Sequence, residues 1–260
     1  IVLGFFLSQA IAPNLIGTFF LIESTDLISS LIFATIFELF VYSNFCGLSL
    51  LVYGISGILG YKIPLNFKQP FSSTNIIDFW KGWHRSLSIV LKELFYRPLK
   101  KRFPTEIALI GVYFSSAMWH GVTFNFFLWG IFHTLMFILT LWLLRQNFKF
   151  ITFPILVFSI IFGRLLFADS DTARLIEKLT FQYDGVSVFT TLMNMPGMTL
   201  LSLFFITIFV MSELLFQKFK LFRTRTYKFY RLPIVSCFLL VLTLAMISVN
   251  DGSYAVYGQR

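Results

Sequence analysis

Long apolar stretches limit what this chain can fold into more than any single motif does. Residues 27–61 form the longest stretch, and similar runs recur along most of the 260 residues. A membrane-spanning helix needs about 20 mostly apolar residues. Only 13% of the residues are charged, about half of the roughly 25% found in soluble domains, so polar side chains are too few to cover a soluble exterior. The sequence therefore predicts an all-α, polytopic integral membrane protein.

The apolar runs predict about seven membrane elements. They are residues 1–22, 27–61, 105–119, 122–144, 150–168, 198–216 and 232–249. Pro13-Asn14 predicts a kink in the first run, because proline removes a helical hydrogen bond. The second run is too long for one upright span. It is therefore either one long tilted helix or two pieces broken near residues 43–47. The three-residue spacing of Gly54, Gly57 and Gly60 predicts a smooth helix face for close packing, with a locally permissive backbone as the alternative.

The positions of the charges predict which side each connection faces. Segment 62–104 holds nine Lys and Arg residues against two acids, which places it on the cytoplasmic side. It is also rich in aromatic residues, so we expect interfacial or re-entrant pieces, with Pro98 ending the helix that follows His84. Residues 217–231 carry six cations and no acid, whereas residues 169–197 carry four acids and two cations. The net charge of +9 therefore indicates basic cytoplasmic loops and contact with membrane lipids, and no nucleic-acid partner.

Two of the three histidines lie in tryptophan-rich runs. His84 belongs to Asp78-Phe-Trp-Lys-Gly-Trp-His-Arg-Ser-Leu87, and His120 to Met118-Trp-His-Gly121. The charge pattern makes His84 accessible from the cytoplasm and His120 from the outer side, so the imidazoles would face each other across part of the membrane. Histidine suits proton transfer near neutral pH, and an ionisable group inside a span is functional by default. A packing role bonded to a backbone carbonyl stays open for His120, and His84 and His133 could be structural.

Several other chemistries lack their sequence patterns. The chain contains no Gly-x-Ser-x-Gly elbow, no Walker loop and no His-Glu-x-x-His pair. Cys46 and Cys237 both lie in apolar runs without metal-ligand spacing, so we expect buried thiols and no metal site. The acids inside spans are Glu38 and Glu213. Neither has an ionisable partner at helical spacing, so a carboxylate proton relay is weakly supported.

Six motifs in this order resemble the membrane-bound O-acyltransferase family. They are residues 8–15, 37–47, 57–71, 78–87, 96–99 and 119–133. The resemblance is to the bacterial branch, which includes alginate O-acetylation and teichoic-acid D-alanyl transfer proteins. It implies a ring of tilted transmembrane helices with re-entrant or interfacial segments around a central tunnel, in the bacterial cytoplasmic (inner) membrane. It further implies that residues 1–260 are the C-terminal part of a single transmembrane domain whose N-terminal helices are missing.

The same resemblance implies the chemistry. It implies transfer of an acyl group from a thioester to hydroxyls of a cell-envelope polysaccharide, and acetyl is the acyl group that we expect first. The donor would be a coenzyme A or acyl-carrier-protein thioester, a substrate rather than a bound cofactor. His120 and His84 match the catalytic histidines. The residues expected to bind substrate are Asn66, Trp80, Trp83, Ser86, Tyr96, Trp119, Trp129 and His133.

An alternative of the same fold is a membrane component that translocates the acyl group. It would hand the group to a separate periplasmic acetyltransferase. The motifs depart from the family pattern at Asn44, Cys46, Lys81-Gly82 and Thr134. These departures leave the choice of substrate open.

Overall fold

The computed structural model describes residues 1–19, 27–168, 172–179, 190, 193–219 and 231–249. This part of the chain is helical and contains no strand, which confirms the all-α prediction. The α-helices are α1 (Val2–Phe5), α2 (Ala12–Phe19), α3 (Leu27–Ile58), α4 (Ile76–Gly82), α5 (Arg85–Leu91), α6 (Arg97–Lys100), α7 (Thr105–His120), α8 (Phe124–Arg145), α9 (Thr152–Ala168), α10 (Thr172–Leu179), α11 (Gly197–Phe219) and α12 (Arg231–Val249). Short 3₁₀ turns occur at Pro70–Ser72 and Lys149–Ile151, and π-helical turns at Phe6–Ile11 and Lys92–Tyr96.

Four of the described helices are long and apolar enough to cross a membrane. They are Ser29–Ile58, Phe124–Arg145, Lys149–Ala168 and Gly197–Leu215. Val2–Ile16 and Pro233–Ser248 are shorter apolar helices, and α7 adds a helix of 16 residues. These positions agree with the seven predicted elements, so the polytopic membrane fold is confirmed. The ring of helices and its tunnel stay predictions.

Helix α3 runs without interruption over 32 residues. At about 1.5 Å per residue it is about 48 Å long, well above the roughly 30 Å of a hydrocarbon core. The single long helix was therefore the correct alternative, and the predicted break near residues 43–47 is wrong; its tilt stays a prediction. Polar groups there do not open the helix, because the Ser43 hydroxyl donates to the Leu39 carbonyl of the same helix (2.7 Å).

Contacts divide the chain into two compact units. The first takes its described residues from Ile1–Glu23, Ile36–Asn66 and Val188–Arg260, and the second from Ser24–Thr35 and Phe67–Ser187. In the first unit Tyr42 donates a hydrogen bond to the buried Glu213 carboxylate, and the Thr199 hydroxyl donates to the Asn14 carbonyl (3.1 Å). Polar groups in a membrane must find partners inside the protein, and these pairs link α3 and α2 to α11.

The closest backbone approach in the first unit joins α1 to α3. A Cβ atom added at Gly4 would lie 2.6 Å from the Gly47 carbonyl oxygen, and one added at Gly47 would lie 2.8 Å from the Gly4 oxygen. The predicted glycine face is wrong at Gly57 and Gly60, where an added Cβ would meet nothing within 4 Å. Gly54 does pack closely, against Ile1. The sequence spacing therefore located the glycine-rich side of α3 but missed Gly47, the residue that brings α3 close to α1.

Both prolines expected to disturb helices are accommodated by π-helical turns. The turn Phe6–Ile11 precedes Pro13, and the turn Lys92–Tyr96 precedes Pro98. The prediction that Pro98 ends its helix is wrong, because Pro98 lies in the first turn of α6 and the helix continues to Lys100. A π-turn inserts one residue into the hydrogen-bond ladder. The ladder can thereby adapt to the missing proline N–H and to the crowding of its ring.

The second unit is built around α7, α8 and α9. Helix α8 packs against both α7 and α9, and α4 packs against α8 and α9. Helix α4 begins at Asn75, whose side chain accepts a hydrogen bond from the Asp78 backbone N–H (2.9 Å). This N-cap satisfies a donor that the helix itself cannot. The cap thereby fixes the start of α4, the helix that carries Trp80 toward α7, α8 and α9.

We expect Gly47→Ala to destabilise the protein, because the added methyl group would overlap backbone atoms of α1. Overpacking of this kind costs about 1–3 kcal/mol. The matched control is Gly57→Ala on the same helix, where the space is open and alanine favours the helix by roughly 0.5–1 kcal/mol. Thermal unfolding of the purified proteins in one detergent should give a lower midpoint for Gly47→Ala only. Equal midpoints for the two variants would contradict the close approach of α1 and α3.

Candidate active site

The tryptophan run forms helix α4 and the turn that follows it. Gly82 ends α4, and its carbonyl accepts a hydrogen bond from the Lys68 N–H (2.8 Å). A Cβ at Gly82 would lie only 2.7 Å from the Lys68 carbonyl oxygen, so this position admits only glycine. Trp83 then continues in extended conformation. The close contact between residues 68 and 82 thereby fixes the position of His84, which follows Trp83 and directly precedes helix α5.

His84 has an unusual backbone conformation. Its φ of 43° and ψ of 55° lie in the left-handed region, which costs a non-glycine residue roughly 1–2 kcal/mol. The ring is half-buried near Phe67, with 6.2 Å between ring centroids. The Ser86 hydroxyl lies 3.5 Å from Nδ1, at the outer limit for a hydrogen bond. Burial lowers the pKa of His84, so the neutral imidazole predominates at neutral pH.

His120 is the last residue of α7 and is exposed at the helix end. Gly121 follows with a φ of 155°, and a Cβ there would lie 2.9 Å from the ring of Phe126. Glycine therefore permits the sharp turn into α8. One side of the imidazole packs against the rings of Phe167 (4.8 Å between centroids) and Trp129 (5.9 Å). The other side is left accessible to a reacting group.

His133 lies in the core of the second unit, only 4% exposed. Its ring packs edge-on against Trp129 (4.7 Å) and Trp80 (5.2 Å) and stacks on Tyr113 (6.1 Å). Gly163 of α9 touches it, since a Cβ there would lie 2.4 Å from Nε2. Among the described residues, the buried His133 Nδ1 and Trp80 Nε1 have no hydrogen-bond partner. Leaving such a group unsatisfied costs about 1–3 kcal/mol, so each of these nitrogens is a candidate for contact with a bound polar group.

Arg164 is the site residue that the sequence analysis missed. It lies in the apolar helix α9 and is only 8% exposed. Its guanidinium carbon lies over two aromatic rings, 5.5 Å from the centroid of Trp83 and 5.2 Å from that of Phe167. It lies within electrostatic range of His120 and His133. The signal was present in the sequence, because Arg164 is the one charged residue in the predicted span 150–168.

The structure brings together most of the predicted site residues within the second unit. Trp80, Trp83, Trp129 and His133 share one aromatic cluster with Arg164, and His84 and His120 lie within electrostatic range of each other. Three further predicted residues of the second unit lie outside this cluster. Ser86 is exposed beside His84, Trp119 is 68% exposed, and Tyr96 is half-buried at the end of a π-helical turn. Asn66 belongs to the first unit, where its amide donates to the Ser49 hydroxyl (3.2 Å).

No group of three His, Cys, Asp or Glu side chains in the described residues is placed to hold a metal ion. The chemistry that the cluster itself offers is acid–base catalysis by imidazole, beside a buried cation. This combination suits reactions in which a proton leaves a hydroxyl and negative charge develops on a nearby oxygen.

Sequence comparison gives this arrangement a family. The family model described as MBOAT, membrane-bound O-acyltransferase family, matches residues 7–164. The match covers more than half of the chain and includes all three histidines and Arg164. The chain belongs to the membrane-bound O-acyltransferase family. The resemblance seen in the histidine motifs is therefore confirmed.

Individual relatives of this family member are named for different polymers. The chain is 37% identical over 98 residues to the peptidoglycan O-acetyltransferase of Helicobacter pylori, covering 36% of this chain and 18% of the relative. It is 29% identical over 147 residues to the teichoic acid D-alanyltransferase of Bacillus subtilis, covering 50% and 37%. It is 35% identical over 97 residues to the probable alginate O-acetylase AlgI of Pseudomonas putida, covering 36% and 20%. The chain thus spans between about a fifth and just over a third of the length of these relatives.

We expect His84 to titrate below the ordinary histidine value of about 6.5, because burial disfavours the charged imidazolium. The protein can be labelled with ¹³C at histidine Cε1 and titrated by NMR in detergent micelles. Loss of one signal in His84→Gln identifies His84 among the three histidines. A histidine-containing peptide in the same micelles provides the reference. A midpoint at or above that of the peptide would contradict the burial described here.

Proposed function

We propose that this protein transfers an acyl group from a thioester to hydroxyls of a cell-envelope polysaccharide. Acetyl is the acyl group that we expect first. The observation that carries the proposal is the position of His120. It ends α7 at an exposed helix end, is packed on one side by aromatic rings, and lies within electrostatic range of His84. Relatives named for acetylating peptidoglycan or D-alanylating teichoic acid support a hydroxyl-bearing envelope polymer as the acceptor. The protein would act in the bacterial cytoplasmic membrane.

His120 is the general base in this proposal. Its accessible side receives the acceptor hydroxyl, and an imidazole nitrogen takes the hydroxyl proton as the oxygen attacks the thioester carbonyl carbon. The protonated His120 then gives that proton to the departing thiolate sulfur. The aromatic rings of Phe167 and Trp129 exclude water from the other side of the ring, which keeps hydrolysis from competing with transfer.

His84 and the basic segment 62–104 serve the donor. The neutral imidazole of His84 can donate a hydrogen bond to the thioester carbonyl oxygen or accept one from an amide N–H or hydroxyl of its pantetheine arm. The two acids of this segment pair with neighbouring cations, Lys81 with Asp78 and Arg97 with Glu93. Further exposed cations are Lys62, Lys68, Lys92, Lys100 and Lys101. They would attract an anionic donor, either the phosphates of coenzyme A or an acidic carrier protein.

His120→Ala should abolish acylation, since loss of a general base lowers rates by about 10²–10⁴-fold. The measurement is the amount of base-labile ester on envelope polymer from cells that lack the native protein and produce the variant. The control on the same helix is Ser115→Ala, whose hydroxyl bonds only back to the Gly111 carbonyl and which should behave as wild type. Ester at wild-type levels in His120→Ala, with equal protein in the membrane, would exclude His120 as the base.

The second candidate, an acyl-passing component, is favoured by the surface beside His120. The turn between α7 and α8 exposes three large apolar side chains, Trp119 (68%), Val122 (87%) and Phe124 (56%). These three exposed side chains could bind a separate periplasmic acetyltransferase next to the reacting histidine.

Purified protein distinguishes the two candidates. It is supplied with radiolabelled acetyl-coenzyme A, or with an acetylated carrier protein, and with a polysaccharide acceptor. Direct transferase activity predicts labelled polysaccharide from this protein alone. The acyl-passing alternative predicts label on the polysaccharide only after a periplasmic transferase is added, and Val122→Asp should then reduce the transfer.

A further inference from the structure

Arg164 is a charged residue placed where charge is expensive. Helix α9 belongs to the span Lys149–Ala168, and an ionisable side chain within a span is a functional candidate by default. An arginine near a helix end often extends to the membrane surface, with its charged group in water. That explanation does not apply here, because Arg164 is only 8% exposed. The guanidinium is therefore held inside the protein.

Aromatic rings connect this guanidinium to both reacting histidines. Phe167 contacts the Arg164 guanidinium on one side (5.2 Å) and the His120 ring on another (4.8 Å). Trp83, the residue directly before His84, lies under the same guanidinium (5.5 Å). Trp83 and Phe167 thus hold the cation by cation–π contacts, beside the ring that packs on His120 and beside the residue that precedes His84. Its flat shape suits this position, whereas an ammonium group would not stack.

A second donor lies in the same aromatic cluster. The Trp80 indole Nε1 is buried and has no partner among the described residues, and its ring packs against His133 at 5.2 Å. His133 in turn touches α9 one residue before Arg164, at Gly163. An indole nitrogen can only donate, and a guanidinium offers five donors, enough to hold protein partners and a substrate oxygen together. The cluster is therefore rich in donors for an electron-rich oxygen.

We propose that Arg164 is a catalytic residue that binds the carbonyl oxygen of the acyl donor and stabilises the oxyanion formed during transfer, with the Trp80 indole N–H as a second donor. This inference rests on the acyltransferase activity proposed above. It assigns the charge-stabilising role to a residue outside the two histidine motifs.

The electron and proton movements balance around this group. The acceptor oxygen forms a bond to the thioester carbonyl carbon while its proton moves to His120. The carbonyl π electrons move onto the oxygen, which becomes an oxyanion bound by Arg164. When the carbonyl re-forms, the carbon–sulfur bond breaks, and the thiolate takes the proton from His120. The products are an ester and a thiol. A fixed cation in a water-poor site stabilises the charged intermediate more than the neutral donor, which lowers the barrier.

Two substitutions separate charge from packing. Arg164→Lys keeps a positive charge but loses the planar shape, whereas Arg164→Met keeps the length and apolar contacts but loses the charge. Phe153→Leu is the control on α9, since Phe153 is 52% exposed and lies far along the helix from the cluster. Each variant, together with His120→Ala, is produced in cells lacking the native protein. The readouts are the initial rate of base-labile ester formation on the envelope polymer and the unfolding midpoint of purified protein.

The expected result is a loss of at least about tenfold in ester formation for Arg164→Met, at a normal unfolding midpoint. Arg164→Lys should recover a clear part of the rate, and Phe153→Leu should match wild type. Wild-type rates in Arg164→Met would overturn the inference, as would a folded Arg164→Lys that is as inactive as His120→Ala. The second outcome decides the question even if the methionine variant fails to accumulate. If His120→Ala itself retains ester formation, the proposed acyltransferase function fails instead, independently of Arg164.

Discussion

The edge-on packing of Trp80 against His133 and Trp129 is the contact on which the site depends. It joins α4, which carries the first histidine motif, to α8, which carries the second half of the other motif. Each aromatic pair of this kind contributes about 0.5–1.5 kcal/mol beyond the burial of its surface. The same helix α4 leads into Trp83, which lies under the Arg164 guanidinium. The position of His84, the residue after Trp83, thus depends on the packing of indole and imidazole rings and not on the backbone of a single helix alone.

Helices in a membrane gain little from hydrophobic burial against each other, so close packing must hold them together. The glycines supply it at specific points. Gly163 lets α9 contact His133, and Gly130 brings α8 near α7, where an added Cβ would lie 3.1 Å from the Tyr113 carbonyl oxygen. The same principle joins α1 to α3 at Gly4 and Gly47 in the first unit. Small residues therefore determine how near the aromatic cluster the flanking helices come.

Sequence reasoning recovered the helical membrane fold because apolar runs of helix-spanning length have few other physical solutions. It also recovered the histidine cluster, because tryptophans at fixed spacing around His84 and His120 form a recognisable pattern. It missed Arg164, since the ionisable residues considered within spans were the histidines and acids only. It could not choose between a continuous and a broken α3. Ser43 and Asn44 suggest a break, but a serine hydroxyl can bond within its own helix, and only the three-dimensional structure reveals which occurs.

The π-helical turn at Lys92–Tyr96 has a consequence for how the chain tolerates changes in length. Each residue of a regular helix turns the chain by about 100°. A π-turn accommodates one extra residue inside a helix, so deleting one residue from this turn would restore an ordinary α-helix and leave the residues on both sides facing nearly the same directions. A deletion in the α-helical part of α5 would instead rotate the residues before it by that angle, including His84, which directly precedes the helix. Between the first histidine and α7 the chain therefore accepts the loss of one residue more readily at the π-turn than elsewhere.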